Sequence, residues 1–278
     1  MIDFKQGLEQ QVQIALAEDI GSGDITANLI PENTQAHGSV IAREPAIICG
    51  QDWFNESFLQ INRDIKINWS VVDGGAIETN QTLCTLTGDA RSLLTGERTA
   101  LNFLQTLSAT ATKANQYASS IADFNTRILD TRKTIPGLRL AQKYAVHCGG
   151  CHNHRIGLFD AILIKENHII AAGSIGNAVK IARTNNTDGF IEVEVENLSQ
   201  LSEALDAGVN RVLLDNMDID TLEKAVKIND NRTELEASGG VTLNNIRQIA
   251  KTGVDFISIG ALTKDITALD LSMRLQFN

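Results

Sequence analysis

The feature that most constrains the fold is an alternation of short apolar segments and amphipathic segments over the second half of the chain. Six segments rich in Val, Ile and Leu have the length of buried strands: 127–130, 161–165, 190–196, 211–215, 234–238 and 256–259. Helix-like segments lie between most of them, at 137–146, 174–184, 198–207, 219–228 and 242–252. Because this alternation produces a parallel sheet with right-handed crossovers, the sequence predicts an α/β barrel, complete or incomplete, or an open doubly wound sheet.

The first hundred residues follow a different pattern and predict a small α+β domain. Residues 4–18 carry apolar side chains on one helical face, whereas 38–49, 65–72 and 81–87 have the composition of strands. Residues 91–124 then predict one or two long helices, because Leu and Ala recur there at helical spacing.

Composition excludes several classes of function. The chain of 278 residues has a formal net charge of -10, which argues against general binding to the phosphate backbone of nucleic acids. It has no run of about 18 apolar residues that would span a membrane. Its first residues lack the apolar core of a signal peptide. We therefore expect a cytoplasmic protein whose four cysteines are reduced.

One stretch, residues 127–168, departs from this acidic character. It holds seven Lys and Arg against three acidic residues, and four of the five His. Two predicted strands end inside it, the first in Asp130-Thr131-Arg132-Lys133 and the second in Lys165. The carboxyl ends of the strands are where α/β barrels place their active sites. The stretch therefore predicts a pocket for a small anion that carries several charges.

Carboxylates follow in the middle strands. Glu192, Glu194 and Glu196 alternate with Val, so they point to one face of their strand, and Asp215 ends the next strand. Three carboxylates on a covered face require a cation or a metal ion, unless the strand is a solvated edge strand. Glu194 and Asp215 suit Mg²⁺ when substrate phosphates supply further ligands, or a developing positive charge.

The last two strands end in glycine-containing loops. These are Ser238-Gly239-Gly240 and Ile259-Gly260-Ala261. Glycine lets the backbone approach a ligand closely, and the loops after the last barrel strands commonly bind phosphate. The alternative is ordinary turn chemistry.

Two further motifs are open to more than one interpretation. Arg98 falls on the apolar stripe between Leu94 and Leu101, so it pairs with an acid at the surface, points into a substrate pocket or lies at a subunit contact. The residues from Cys148 to His152 match the CxxCH pattern of haem attachment, and His154 would complete a zinc set. Both metal interpretations are disfavoured, because haem attachment requires export and the zinc ligands would come from one short loop.

With these residues in view, the chain resembles the quinolinate phosphoribosyltransferases. The matching segments, in family order and over nearly the whole chain, are EDIGSGDIT (18–26), GERTALNFLQ (96–105), DTRKTIPGLR (130–139), NHRIGL (153–158), LIKENHI (163–169), EVEVEN (192–197), LLDN (213–216), EASGGV (236–241) and VDFISIGALTK (254–264). The resemblance implies an N-terminal α+β domain over 1–108, with the tail 266–278 packed back on it. It also implies an incomplete, seven-stranded TIM-like α/β barrel over 109–265.

The resemblance also implies an activity and a role for each residue above. The reaction is phosphoribosyl transfer from phosphoribosyl pyrophosphate to quinolinate with decarboxylation, in a homodimer that uses Mg²⁺. Thr131, Arg132, Lys133, His154, Arg155 and Lys165 match the pocket for the two substrates. Arg98 matches an arginine supplied by the neighbouring subunit. Glu194 and Asp215 match acids at the ribose and Mg²⁺, either directly or through water, and Lys133 acts with them in catalysis.

The resemblance extends to the loops after the last two strands, and one position departs from it. Ser238, Gly239, Gly240, Ile259, Gly260 and Ala261 match the loops around the 5-phosphate. Cys151 departs from the pattern, because we expect a third glycine at that position. The competing hypotheses are a relative that accepts nicotinate, with its single carboxylate, and a binding protein that has kept the fold without catalysis.

Overall fold

The computed structural model describes residues 3–185 and 189–277, and of Asn185 it describes the backbone alone. The chain forms two compact units. The first runs to Asn115 and also contains Thr134–Gly150 and the residues from Thr263 onward, and the second contains Gln116–Lys133 and Cys151–Leu262. Among the described residues, no helix combines the length and the apolar character needed to cross a membrane.

The elements alternate along the second half of the chain as the sequence predicts. The helices are α1 (Leu8–Ile20), α2 (Gln51–Leu59), α3 (Ala90–Ser120), α4 (Arg139–Cys148), α5 (Glu166–Ala172), α6 (Ile175–Asn185), α7 (Leu198–Asp206), α8 (Ile219–Asn229), α9 (Ile246–Lys251) and α10 (Ala261–Lys264), with a 3₁₀ turn at Ala27–Leu29. The strands are β1 (Gln35–Ala42), β2 (Ala46–Ile47), β3 (Lys66–Trp69), β4 (Ala76–Ile77), β5 (Thr82–Asp89), β6 (Arg127–Leu129), β7 (Ile162–Ile164), β8 (Ile191–Val195), β9 (Arg211–Asp215), β10 (Glu234–Ser238), β11 (Phe256–Ser258) and β12 (Leu271–Phe277).

The first unit is built on a four-stranded antiparallel sheet in the order β12-β1-β5-β3. The last strand of the chain returns to this sheet and pairs with β1, from Ala42 opposite Leu271 to Ala36 opposite Phe277. The single strand expected over 38–49 is two strands, because Pro45 lies in the gap and cannot donate to a sheet ladder. The sequence analysis also missed α2, whose Trp53, Phe54 and Phe58 are buried in the core.

Helix α3 is one uninterrupted helix of 31 residues. Its buried face includes Ala100, Leu104, Leu107 and Ala111. The expected position of Arg98 on this face is wrong, because Arg98 is exposed and Leu94, one turn before it, is 36% exposed. The buried stripe begins instead at Leu93, the residue before Leu94, and continues at Gly96. A Cβ on Gly96 would lie 2.8 Å from the Phe58 ring.

The second unit is a parallel sheet with strand order β6-β11-β10-β9-β8-β7, and it contains all six predicted strands. A parallel bridge between Leu129 and His152 occupies the place of a seventh strand beside β6. This agrees with the expected incomplete α/β barrel. Since β8 lies between β7 and β9, the alternative of a solvated edge strand for its glutamates is wrong.

Space, rather than backbone conformation, requires glycine after α4. A Cβ on Gly149 would lie 2.3 Å from the carbonyl oxygen of Ala111 and 2.6 Å from the Cβ of Ala114, and both atoms belong to α3. We expect Gly149→Ala to lower the free energy of unfolding by about 1–3 kcal/mol, because overpacking forces backbone shifts. Urea unfolding measures this change. Gly176→Ala is the matched control, since its Cβ would have no atom within 4 Å, and an equal loss of stability in both variants would contradict the packing argument.

Candidate active site

The register of the parallel sheet brings the predicted site residues of the second unit to one edge. Ser238 lies opposite Asp215 on one side and opposite Ser258 on the other, and Glu194 lies opposite Leu213. The loops that follow all of these strands therefore leave the same edge. Members of the predicted set at or just beyond this edge are Thr131, Arg132, Lys133, His154, Arg155, Lys165, Glu194, Asp215, Ser238, Gly239, Gly240, Ile259, Gly260 and Ala261.

Arg132 and Arg155 lie close enough at this edge for their charges to interact. Burial lowers the pKa of Arg155 and the positive charge of Arg132 lowers it further, whereas the negative charges of Glu192 and Asp160 raise it. The Nε atom of Arg132 is buried and has no hydrogen-bond partner among the described residues. Two like charges beside an unused buried donor are unfavourable unless an anion lies between them. This geometry fits the anion pocket that the sequence predicts.

Asp130 fixes the position of the segment that carries His154 and Arg155. It is fully buried, and its Oδ1 accepts the backbone N–H of His154 at 2.8 Å while its Oδ2 accepts the side-chain amide of Asn153 at 2.7 Å. Asp130 also donates its own backbone N–H to His152 at 3.0 Å. The sequence analysis gave Asp130 no role of its own. The available signal was an acid directly after a buried strand, at the start of the DTRKT segment.

Lysine and carboxylate groups alternate around the middle strands. The Nζ of Lys165 hydrogen bonds to Glu194. Partial burial raises the pKa of Asp215, the negative charge of Glu194 raises it further, and the charges of Lys165 and Lys133 act in the opposite direction. Glu194 and Asp215 therefore interact electrostatically, as the sequence predicts for acids that share a cation.

Close contacts favour glycine at one position in each of the two glycine-containing loops. Gly239 has a φ of +98°, and a Cβ there would lie 2.1 Å from Oδ1 of Asn216. A Cβ on Gly260 would lie 3.0 Å from Cδ of Lys133. A side chain at Gly239 would therefore collide with Asn216, and one at Gly260 would crowd Lys133. The predicted role of these loops in phosphate binding stays a prediction.

A buried acidic layer lies beneath this edge. Glu192 and Glu236 are 1% and 0% exposed, and the Nε2 of His154 lies 2.9 Å from Oε2 of Glu192 and 3.5 Å from Oε2 of Glu236. Arg211 contacts Glu236 at 3.3 Å. Burial raises the pKa of Glu236 to about 7, and the negative charge of Glu192 adds to this effect. The sequence analysis did not single out Glu236, although its place two residues before Ser238 puts both on one face of β10.

Arg98 belongs to the first unit. It makes no hydrogen bond or ion pair within the described part of the chain, and the Glu97 carboxyl beside it has a pKa raised by burial. Two hydrogen bonds hold the segment 24–30 on the start of α3: Thr95 to Asp24 at 2.9 Å and Arg91 to Ile30 at 2.8 Å. Ile25 and Leu29 on that segment are 86% and 83% exposed. The charge of Arg98 interacts with that of Glu97, and the exposed apolar side chains lie on a segment bound to the start of the same helix.

The cysteines of the CxxCH motif have different surroundings. Cys151 is buried, and this burial raises the pKa of its thiol to about 12. Cys148 is half-buried, and a hydrogen bond with Cys49 lowers the pKa of its thiol, with Tyr144 as a second partner. At neutral pH Cys151 is therefore a thiol and not the thiolate that binds metals.

Comparison with known proteins covers nearly the whole chain. Residues 24–108 match the family model "Quinolinate phosphoribosyl transferase, N-terminal domain", and residues 110–274 match the model for the C-terminal domain. The solved structure of the nicotinate-nucleotide pyrophosphorylase from Francisella tularensis is 48% identical, with a TM-score of 0.96 over 99% of this chain and 98% of that one.

Two bacterial relatives agree with these matches. The probable carboxylating nicotinate-nucleotide pyrophosphorylase of Synechocystis is 42% identical over 98% of this chain and 93% of its own length. The protein of the same name from Bacillus subtilis is 40% identical over 92% of this chain and 89% of its own length.

The raised pKa of Glu236 predicts a pH dependence of stability. Folding moves this pKa from 4.5 to about 7, so between these values the folded protein binds more protons than the unfolded chain. The free energy of unfolding therefore falls as pH rises through this window, by on the order of 3 kcal/mol from this group. Urea unfolding across the window should show this fall in the wild type and its loss in Glu236→Gln. Glu234→Gln is the control: Glu234 is a half-exposed neighbour that also binds Arg211, and this variant should keep the fall in stability. A fall that persists in Glu236→Gln would contradict the assignment to Glu236.

Proposed function

Since this chain belongs to the quinolinate phosphoribosyltransferase family, we propose that it transfers the phosphoribosyl group of phosphoribosyl pyrophosphate to quinolinate. The ring nitrogen of quinolinate forms a bond to C1 of the ribose while the bond from C1 to pyrophosphate breaks. The carboxylate beside that nitrogen then leaves as CO₂, and a proton takes its place. The product is nicotinate mononucleotide, a precursor in NAD biosynthesis.

The interacting charges of Arg132 and Arg155 are the observation that best supports this substrate. Their mutual repulsion and the unused Nε donor of Arg132 favour a ligand with negatively charged oxygens. Quinolinate brings two carboxylates, and Lys165, directly after β7, is a further cation. Nicotinate brings only one carboxylate and would leave more of this positive charge unpaired.

Glu194 and Asp215 suit the next requirement of the reaction. Positive charge grows on the ribose as the bond to pyrophosphate breaks, and fixed carboxylates stabilise such charge. The contact of Lys165 with Glu194 holds one of these carboxylates in place. Lys133, beside Gly260, supplies a cation on the side of the departing pyrophosphate in this proposal.

After nitrogen alkylation, the ring itself drives decarboxylation. The positively charged pyridinium accepts the electron pair that the departing carboxylate leaves behind. Arg132, Arg155 and Lys165 therefore serve to bind and orient the diacid, with the carboxylate that leaves beside the ring nitrogen. No organic cofactor is required for this step.

Mg²⁺ fits the acids of this site. Glu194 raises the pKa of Asp215 by its charge, so a cation between the two would relieve their repulsion. Both offer oxygen atoms, which Mg²⁺ prefers, and it commonly binds one or two carboxylates together with substrate phosphates. Glu194 and Asp215 would hold the ion directly or through water, and the ion would neutralise the pyrophosphate that departs.

The first test is one incubation of the protein with quinolinate, phosphoribosyl pyrophosphate and Mg²⁺. We expect CO₂ and nicotinate mononucleotide in equal amounts. A parallel incubation with nicotinate in place of quinolinate should give no product. Product from nicotinate alone, or none from folded protein in either incubation, would overturn the proposed activity.

The two arginines should act on substrate binding. We expect Arg132→Ala and Arg155→Ala each to raise the KM for quinolinate by about 10- to 100-fold, because each removes a charge-assisted hydrogen bond. Steady-state kinetics measures this change, and thermal unfolding checks that the fold is intact. Arg183→Ala is the control, since its guanidinium donates to the carbonyl of Gly208 in a different part of the sheet unit. A normal KM in both site variants would remove the pocket assignment.

Glu194 should act on the rate and on the use of the metal. We expect Glu194→Ala to lower kcat by about 100-fold while the KM for quinolinate changes little, because the carboxylate stabilises charge that exists only in the transition state. Removal of Mg²⁺ with a chelator should abolish wild-type activity, and added Mg²⁺ should restore it. An unchanged kcat in the variant would exclude the electrostatic role.

We also propose a homodimer in which Arg98 completes the site of the neighbouring subunit. Its exposed guanidinium and the exposed Ile25 and Leu29 support this arrangement. Arg98→Ala and Glu194→Ala should each lose most of the activity, whereas a mixture refolded together should regain about a quarter of wild-type activity. Half of the dimers then contain both variants, and one of their two sites is intact. A mixture that stays inactive while mixed dimers form would place Arg98 in its own subunit's site.

A further inference from the structure

The proposed function gives no role to the buried acid pair Glu192 and Glu236. Their carboxylates lie on neighbouring parts of one sheet face, below the edge that carries the substrate cations. One oxygen of each, Oε1, is buried without a hydrogen-bond partner among the described residues. Two acids that are 1% and 0% exposed need compensation of their charge, because an unpaired buried charge costs several kcal/mol.

The groups around Glu236 show how the negative charge of the acid pair is compensated. They are Glu192 from β8, Arg211 from β9, His154 from the segment beside β6, and the hydroxyl of Ser258 from β11. Arg211 contacts Glu236 at 3.3 Å and the half-exposed Glu234 at 2.8 Å, and its guanidinium lies 3.9 Å from the centre of the Phe256 ring. One arginine shared between two glutamates does not neutralise a second buried acid. A proton on Glu236 does, and it allows Glu236 to donate a hydrogen bond to Glu192.

The ring of His154 has a fixed orientation above this pair. Its Nδ1 lies 2.7 Å from the backbone N of Arg155 and accepts that N–H, so Nδ1 carries no proton. Its Nε2 must then carry the proton and donate it to Oε2 of Glu192 at 2.9 Å. The ring therefore connects the buried acids directly to the backbone of Arg155, one of the two arginines whose charges interact.

We propose that Glu192 and Glu236 are positioning residues for the proposed reaction: the carboxylate of Glu192 and the neutral acid of Glu236 hold His154 in its Nε2–H form, and His154 in turn orients Arg155 toward the substrate carboxylates. This assignment rests on the proposed function. Neither glutamate touches substrate in it, and both act through the imidazole.

A metal ion is the competing occupant of this cluster. The ligand atoms of His154, Glu192 and Glu236 lie within 4.8 Å of one another, a spacing that suits a cation. Arg211 already binds Glu236, however, and the charges of Arg155 and Lys165 also act on Glu192. A divalent ion would add two positive charges where one proton is sufficient, so the charge balance favours a proton on Glu236.

The neutral form of Glu236 has a consequence for the pH dependence of binding. When Glu236 ionises, a second buried negative charge lies below a pocket for anions. The KM for quinolinate should therefore rise with pH above the Glu236 pKa of about 7, by up to tenfold per pH unit, the limit for one ionising group. Glu236→Gln keeps the shape of the side chain and cannot ionise, so it should remove this rise. Glu234→Gln on the same strand is the matched control and should keep it.

Glu192 is tested through its hydrogen bond. We expect Glu192→Ala to raise the KM for quinolinate about tenfold with little change in the KM for phosphoribosyl pyrophosphate, because Arg155 loses its orientation. Glu192→Gln should restore most of the affinity, since its amide oxygen accepts the same N–H. Nitrogen-15 NMR of the histidine rings should show the Nε2–H tautomer for His154 in the wild type and in Glu192→Gln, and its loss in Glu192→Ala.

Four results would overturn the proposal. They are a KM rise that persists unchanged in Glu236→Gln, equal effects of Glu192→Ala on both substrates, a His154 tautomer that does not respond to Glu192, and binding of Mn²⁺ or Zn²⁺ alone that both glutamine variants abolish. The last would identify the cluster as a metal site. The NMR measurement needs no substrate, so it tests the positioning network even if the wild type fails to convert quinolinate.

Discussion

The hydrogen bonds of Asp130 hold the candidate site together. This buried carboxylate ends the first strand of the parallel sheet and binds the backbone of His154 and the amide of Asn153. It thereby joins the strand that leads to Arg132 and Lys133 to the segment that carries Arg155. Loss of this carboxylate would leave both donors unpaired. The positions of Arg132 and Arg155 relative to each other depend on this connection.

The charged groups of the candidate site differ in burial. Glu194, Asp215 and Lys165 are partly exposed, whereas Glu192 and Glu236 are 1% and 0% exposed. His154 and Arg211 contact this buried acid pair. The negative character of the pair also offsets part of the repulsion among the cations of the site, which fits the interaction between Glu192 and Arg155.

The sequence predicted the second unit well, since all six of its strands occur where the apolar segments indicated. Strands that are covered on both faces appear as continuous apolar runs, and these runs gave a strong signal in the second unit. It was weaker in the first unit, where α2 was missed and one expected strand proved to be two. Helix α2 has only nine residues and mixes aromatic with polar side chains, so burial against the sheet decides its structure.

The sequence by itself determined the order of the elements, the residues that end each strand, and the family resemblance that these residues carry. These are local properties, and a strand end such as the one at Lys165 or Asp215 is visible in a few adjacent letters. Only the tertiary structure decided that Arg98 is exposed and that His154, Glu192 and Glu236 form one hydrogen-bonded cluster. Those three lie far apart along the chain. The order β10-β9-β8 in the sheet brings Glu236 near Glu192, and the hydrogen bond of Asp130 holds the His154 segment beside them, so only long-range contacts assemble the cluster.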